Sequence, residues 1–189
     1  MSSSCVPIRL RADVTLGPIL PECAERMFQW ASDPEVSSNL GLQNAASMER
    51  THQWIENAAT DKSIHALAIL LDGVHVGNVV LDLIDRRLSK ARFSLYIGEP
   101  AARAKRVGLT GTYLALRVAF QELDLFKVWL TVHAQNTRAI RTYLNAGFRK
   151  EGLLRGEFLL GGERLDAWYM GILAGEFAAL AVTLSHSDL

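Results

Sequence analysis

The chain has 189 residues, enough for six or seven strands with several helices in one domain and too few for two comfortable domains. Apolar residues make up 49% and charged residues 21%, with only 14 Gly and 5 Pro, a balance that packs a core and excludes a disordered chain. Lys plus Arg and Asp plus Glu each number 20, so the chain lacks the global positive excess that holds nucleic acid or an anionic membrane surface. Two cysteines, Cys5 and Cys23, are too few for a disulfide framework or a thiolate zinc site and fit a reducing compartment. Apolar runs such as 66–71 and 177–182 fall short of the roughly 20 residues that cross a bilayer. The first six residues lack a signal peptide's basic and apolar regions, so a cytoplasmic location is expected.

Residues 8–11 alternate apolar and basic side chains and predict an opening strand. Cys23, Met27 and Trp30 share one helix face until Asp33-Pro34 stops it. Ser47 caps a second predicted helix through about residue 60, with Met48, Trp54, Ile55 and Ala58 as its apolar stripe. Two aliphatic runs, 64–71 and 74–84, flank Asp72-Gly73 and predict a hairpin. Residues 93–97 give a further strand, ended by Gly98-Glu99-Pro100. The period then changes: Leu109, Tyr113, Leu116, Phe120 and Leu123 lie on one helix face. A strand over 128–132 follows, then a helix capped by Asn136 and closed by Gly147, and last a hairpin of 158–160 with 165–173 across Gly161-Gly162. There is no internal repeat, and helices are expected on both faces of a mixed sheet.

Two segments carry chemistry. Arg103-Ala104-Lys105-Arg106-Val107-Gly108 lies between a strand with its turn and a helix, where free amides and the helix dipole can hold a phosphate. A basic loop before a helix is also an ordinary solvated surface. In the second segment, residues 132–148, a strand runs into a capped helix whose Ile140 and Leu144 share a face with Tyr143 beside them. A phenol of pKa near 10 suits a proton donor, and it equally suits a core position.

Together these segments resemble the GNAT superfamily of acetyl-CoA-dependent N-acetyltransferases over nearly the whole chain. The resemblance is carried by Ile8-Arg9-Leu10-Arg11, by Trp30 with Asp33-Pro34-Glu35-Val36, by the basic loop ending at Gly108, and by Asn136, Ala139, Tyr143 and Gly147-Phe148. The tail from Glu151-Gly152 to Gly171, with Gly162 and Asp166, completes it. Within the superfamily the chain looks most like the branch of ribosomal-protein N-terminal and nucleotide-sugar amine acetyltransferases. This implies an α/β (α+β) fold: a mixed, mostly antiparallel twisted sheet of six to seven strands, flanked by about four helices and splayed between strands 4 and 5. One domain would span 1–189, with flexible ends at 1–6 and 178–189.

The activity implied is transfer of the acetyl group of acetyl-CoA, a co-substrate used without a metal, by direct attack of a primary amine in a ternary complex. The amine belongs to a small molecule such as an amino sugar or to a protein N-terminus, and the enzyme is a monomer or homodimer. The family's pyrophosphate loop falls on Arg103, Ala104, Lys105, Arg106, Val107, Gly108 and Leu109. Leu95, Tyr96 and Ile97 would supply the fourth strand that holds the oxyanion, with Asn136, Ala139 and Tyr143 also at the coenzyme. Tyr143 matches the acid that reprotonates the sulfur. For the base or amine-orienting group His133 comes first, with Glu99, Asp33 and Glu35 as alternatives. Two positions depart: Arg106 stands where the family usually has Gly, and Arg92 where related sequences often carry an acid. These departures keep open a second reading, a non-catalytic acetyl-CoA-binding or regulatory module of the same fold. His52, His65, His75 and His186 show no metal-ligand spacing, and for Trp30, Trp54 and Trp168 core packing is the plainer reading.

Overall fold

The computed structural model describes residues 10–39 and 45–185. Its spine is a seven-stranded sheet in the order β1-β2-β3-β4-β5-β7-β6. The strands are β1 Val14–Pro18, β2 His65–Leu71, β3 Val74–Asp85, β4 Lys90–Ile97, β5 Lys127–His133, β6 Arg149–Leu160 and β7 Glu163–Leu173. The helices are α1 Ala24–Ala31, α2 Pro34–Asn39, α3 Met48–Thr60, α4 Val107–Arg117, α5 Thr137–Asn145 and α6 Ala174–Ser185. The last turns of α4 run on as a π-helical segment, Val118–Glu122.

All pairings are antiparallel except β4 with β5. That parallel pair holds for three positions, Lys90↔Lys127, Ala91↔Val128 and Arg92↔Trp129, after which the strands part. Residues 93–97 of β4 therefore have no partner strand on that side. The opening follows from the flanking registers: β4 stays paired to β3 out to Ile97, while β5 stays paired to β7 out to His133.

The sheet buries both faces. On one, α4, α5 and α6 pack Val107, Leu116, Tyr143 and Phe177 against Val79, Phe93, Leu130 and Ile172. On the other, α1, α2 and α3 form a smaller cluster of Ala24, Met27, Trp30, Val36 and Ile55, with Tyr96 against it. Leu95 and Ile97 pack on the first core and Tyr96 on the second, the period-2 alternation of a strand.

Most predicted elements are present. Asp72-Gly73 turns with φ of 50° and 75° between β2 and β3, and the Ser47 hydroxyl accepts from the Arg50 amide at 3.2 Å to cap α3. Among the described residues the first strand starts at Val14, and Leu10 and Arg11 of the expected 8–11 strand are not in it. Ile8 and Arg9 lie outside the described residues, and Arg11 precedes the strand, its amide donating to Thr110 Oγ1. Asp33-Pro34 ends α1 and also starts α2, because the Asp33 carboxylate accepts from the Glu35 amide at 2.9 Å and Pro occupies the first helical position. Helix α6 runs through part of the stretch expected as a flexible end; Phe177, 2% exposed, docks it against Tyr113 and Phe120 at 5.1 and 5.3 Å. On α5 the buried residues are Ile140 and Tyr143, while Leu144 is exposed rather than sharing that face. No described helix is long and apolar enough to cross a membrane.

Candidate active site

Where β4 and β5 part, a cleft of about 650 Å³ opens between the end of β4, the 103–109 loop and one side of α5. Leu95, Tyr96, Ile97, Arg103, Ala104, Arg106, Gly108, Leu109, Asn136, Ala139 and Tyr143 all line it. The fold thus draws the two sequence segments to one place although residues 109–131 separate them.

The loop earns its shape from two left-handed residues, Ala104 at φ 62° and Arg106 at φ 60°. Arg106 is the N-cap of α4 and makes no side-chain cap bond, so the first amides of a helix point at the cleft without a side chain to satisfy them. The position where the sequence lacks the family's Gly still adopts the conformation that Gly favours. Val107 is 1% exposed with its side chain in the core, so what it can offer the cleft is its main chain. Lys105 is exposed and does not line the cleft; its carbonyl accepts from Arg11 Nη1 at 3.3 Å.

Arg103 has a different task from the one the loop pattern suggests. Its guanidinium donates to Glu35 Oε2 at 2.7 Å, Asp33 Oδ2 at 3.1 Å, the Ile97 carbonyl at 3.1 Å and the Gly98 carbonyl at 3.0 Å. It ties the α1–α2 corner to the end of β4. The Glu35 amide and then the Arg103 guanidinium hold the Asp33 carboxyl below its ordinary range.

Tyr143 stands on the wall of α5, 8% exposed, edge-on to Phe93 at 6.0 Å and Phe148 at 5.7 Å. Its hydroxyl has no hydrogen-bond partner among the described residues. Burial pushes its pKa up to about 12, so the phenol keeps its proton at any physiological pH. Asn136 caps α5, Oδ1 accepting from the Ala139 amide at 3.0 Å.

His133 and Glu99 are not brought to the cleft. On β5 the buried Val128, Leu130 and Val132 face the larger core, so strand alternation turns His133 to the opposite side, where its ring lies on Phe158 at 4.2 Å. Burial lowers its pKa, and Nε2 is buried without a partner among the described residues. Glu99 accepts from the Ala101 amide at the turn after β4. Arg92 is paired two-pronged with Asp82 at 2.8 and 2.7 Å, so the departure there adds no free charge.

The sequence reading missed Arg138 and Arg141, which line the cleft from α5 one turn apart. Their i, i+3 spacing after the Asn136 cap was the available signal. It missed as well a buried chain on the other face: His75 Nε2 meets Asn78 Oδ1 at 2.7 Å, and Asn78 Nδ2 donates to the Tyr96 hydroxyl at 2.7 Å. Burial raises the Tyr96 pKa and lowers that of His75, so both are neutral.

A splayed parallel pair, an uncapped helix start and a buried tyrosine meet in one cleft, and comparison with known proteins gives the family. Residues 13–149 match the acetyltransferase (GNAT) domain family. The chain belongs to that family. It is 31% identical to the spermidine N(1)-acetyltransferase of Escherichia coli (strain K12) over 119 residues, 63% of each protein. The matched stretch thus spans 63% of that relative's length. It is 30% identical to the L-amino acid N-acetyltransferase of the same organism over 123 residues, 63% of this chain and 74% of that protein. Among solved structures, spermidine N-acetyltransferase from Vibrio cholerae in complex with CoA and spermine superposes with a TM-score of 0.84 at 22% identity, over 89% of this chain and 99% of that one. These relatives are named for free small molecules and do not show the ribosomal-protein or nucleotide-sugar branch.

Proposed function

We propose that this GNAT protein is an acetyl-CoA-dependent N-acetyltransferase acting on a primary amine of a free small molecule, with polyamines the first acceptor class to test. The observation that carries it is the meeting of the uncapped α4 start, the open edge of β4 and Tyr143 in a single cleft. The cleft fits the coenzyme on its own features: unsatisfied helix amides and cations for phosphate, apolar Leu95, Ile97 and Leu109 along its length. Bound there, acetyl-CoA supplies an activated acyl thioester. The chain's part is to seat the phosphates at 106–109, to offer the unpaired edge of β4 residues 93–97 as a backbone ladder, and to keep a protonated phenol at Tyr143 ready for the departing sulfur. A full transfer from a phenol near 12 requires the same apolar surroundings to raise the basicity of that sulfur, as burial does for any thiolate.

The polyamine class is supported by the names of the relatives, and a second reading, an L-amino acid acceptor, by charge. Glu35, the acid lining the cleft, is bound to Arg103, and Asp33 beside it is bound as well. A carboxylate-bearing amine suits that balance better than a polycation. The test is release of free thiol from acetyl-CoA over spermidine, spermine, L-amino acids and an amino sugar, alongside thermal unfolding with acetyl-CoA. Ligand at about 100 times its Kd adds about 2.7 kcal/mol. Stabilisation with thiol release for one class is expected. Stabilisation without release over the panel would favour the non-catalytic module, and no stabilisation would overturn the coenzyme reading.

A further inference from the structure

The cleft carries more positive charge than a diphosphate at a helix start requires. Four arginines line it, Arg103, Arg106, Arg138 and Arg141, against one acid, Glu35. Glu35 is held by Arg103, four of whose five N–H donors go to protein acceptors. The guanidinium groups of Arg106, Arg138 and Arg141 have no ion pair or hydrogen bond among the described residues. Three like charges around one concavity repel one another, an arrangement that a polyanionic ligand relieves. They fall into two groups. Arg106 sits at the α4 start, whose amides and dipole already suit a diphosphate. Arg138 and Arg141 stand one turn apart on α5, Arg138 in its first turn, where the Asn136 side chain already accepts from the Ala139 amide.

We propose that Arg138 and Arg141 form a second anion subsite that grips the 3′-phosphomonoester of coenzyme A, while Arg106 and the α4 amides take the diphosphate. The inference rests on the coenzyme reading above. A terminal phosphomonoester carries about −1.5 to −2 charges and three acceptor oxygens, so it can accept from two guanidinium forks at once. Adenine, ribose and the pantetheine arm offer no comparable charge.

The test compares coenzyme A with 3′-dephospho-coenzyme A by calorimetry on wild type, on Arg138→Ala/Arg141→Ala and on Arg106→Ala. Both α5 arginines are exposed, so the double variant is expected to fold with an unchanged apo Tm. Wild type should bind coenzyme A at least about tenfold more tightly than the dephospho form. In the double variant that preference should fall to near unity while the Kd for the dephospho form stays within about twofold. Arg106→Ala should weaken both ligands by a similar factor. Equal binding of both forms by wild type, or a preference that survives in the double variant, overturns the subsite alone. If neither form binds wild type, the coenzyme reading itself has failed and the subsite with it.

Discussion

At Arg106 a side chain sits where φ is 60°, a region that costs a non-glycine residue on the order of 1 kcal/mol. Arg106→Gly is therefore expected to raise unfolding stability by up to about 1 kcal/mol in urea melts while weakening coenzyme binding, because the backbone is relieved and a cation is lost. A variant that is less stable would show that the guanidinium has a structural partner. Tyr143→Phe separates chemistry from binding. No described residue bonds the hydroxyl, so its removal orphans no described group, and turnover should fall about 10²-fold or more with the Kd for acetyl-CoA within about twofold. With the phenol pushed up to about 12, no ionisation of Tyr143 should appear in the rate profile below about pH 11. His75 supplies the acid-side dependence. Burial holds its folded pKa below the unfolded value of about 6.5, so its contribution to stability is complete above that value and is lost as pH falls through the depressed one. The Tm should drop as pH falls below about 6.5, and His75→Gln should flatten the drop. Tyr143, Asn136 and Gly108 could be found from sequence because each is fixed by near neighbours in the chain. The role of Arg103 could not: its carboxylate partners stand 68 and 70 residues away.

Among the elements, those with local punctuation were legible and those decided by tertiary contact were not. Ser47, Asn136 and the Asp72-Gly73 turn each announce a boundary through one side chain or one backbone preference. Asp33-Pro34 serves equally as a stop and a start, and the start was overlooked. The side toward which β5 turns His133 depends on which parity faces α4, and a run of seven residues in which Lys, Trp, Thr and His alternate with Val and Leu tells that two faces differ, not which one borders a cleft. Gly98 reads in sequence as a turn residue and in the structure as a contact. A Cβ there would stand 2.0 Å from the Trp30 ring, which is itself edge-on to His75 at 4.8 Å and to Tyr96 at 6.1 Å. Gly98→Ala should cost about 1–3 kcal/mol by prising α1 from the end of β4. Because Arg103 clasps the same corner, the variant should also raise the KM for the acceptor amine. An unchanged Tm together with an unchanged KM would mean that α1 and the β4 end are not held in register by this contact.

Over the whole molecule, composition and site point in opposite directions. The chain has 20 cationic and 20 acidic residues, a balance that argues against any polyanionic partner, yet the fold gathers four arginines on one cleft with a single acid. Net charge averages over a surface, whereas a ligand meets only the field inside a concavity whose low-dielectric walls focus it. That separation predicts a salt response that the net charge does not. Between about 0.1 M and about 1 M salt the screening length shrinks from about 10 Å to about 3 Å. The Kd for coenzyme A should therefore rise at least about tenfold over that range in calorimetric titrations, while the apo protein, relieved of repulsion among Arg106, Arg138 and Arg141, should not lose Tm. The Arg138→Ala/Arg141→Ala variant should show a shallower dependence, since two of the three unpaired charges are gone. A wild-type affinity flat in salt would place the three guanidinium groups outside the ligand's field and leave the neutral backbone of 106–109 as the whole of the phosphate site.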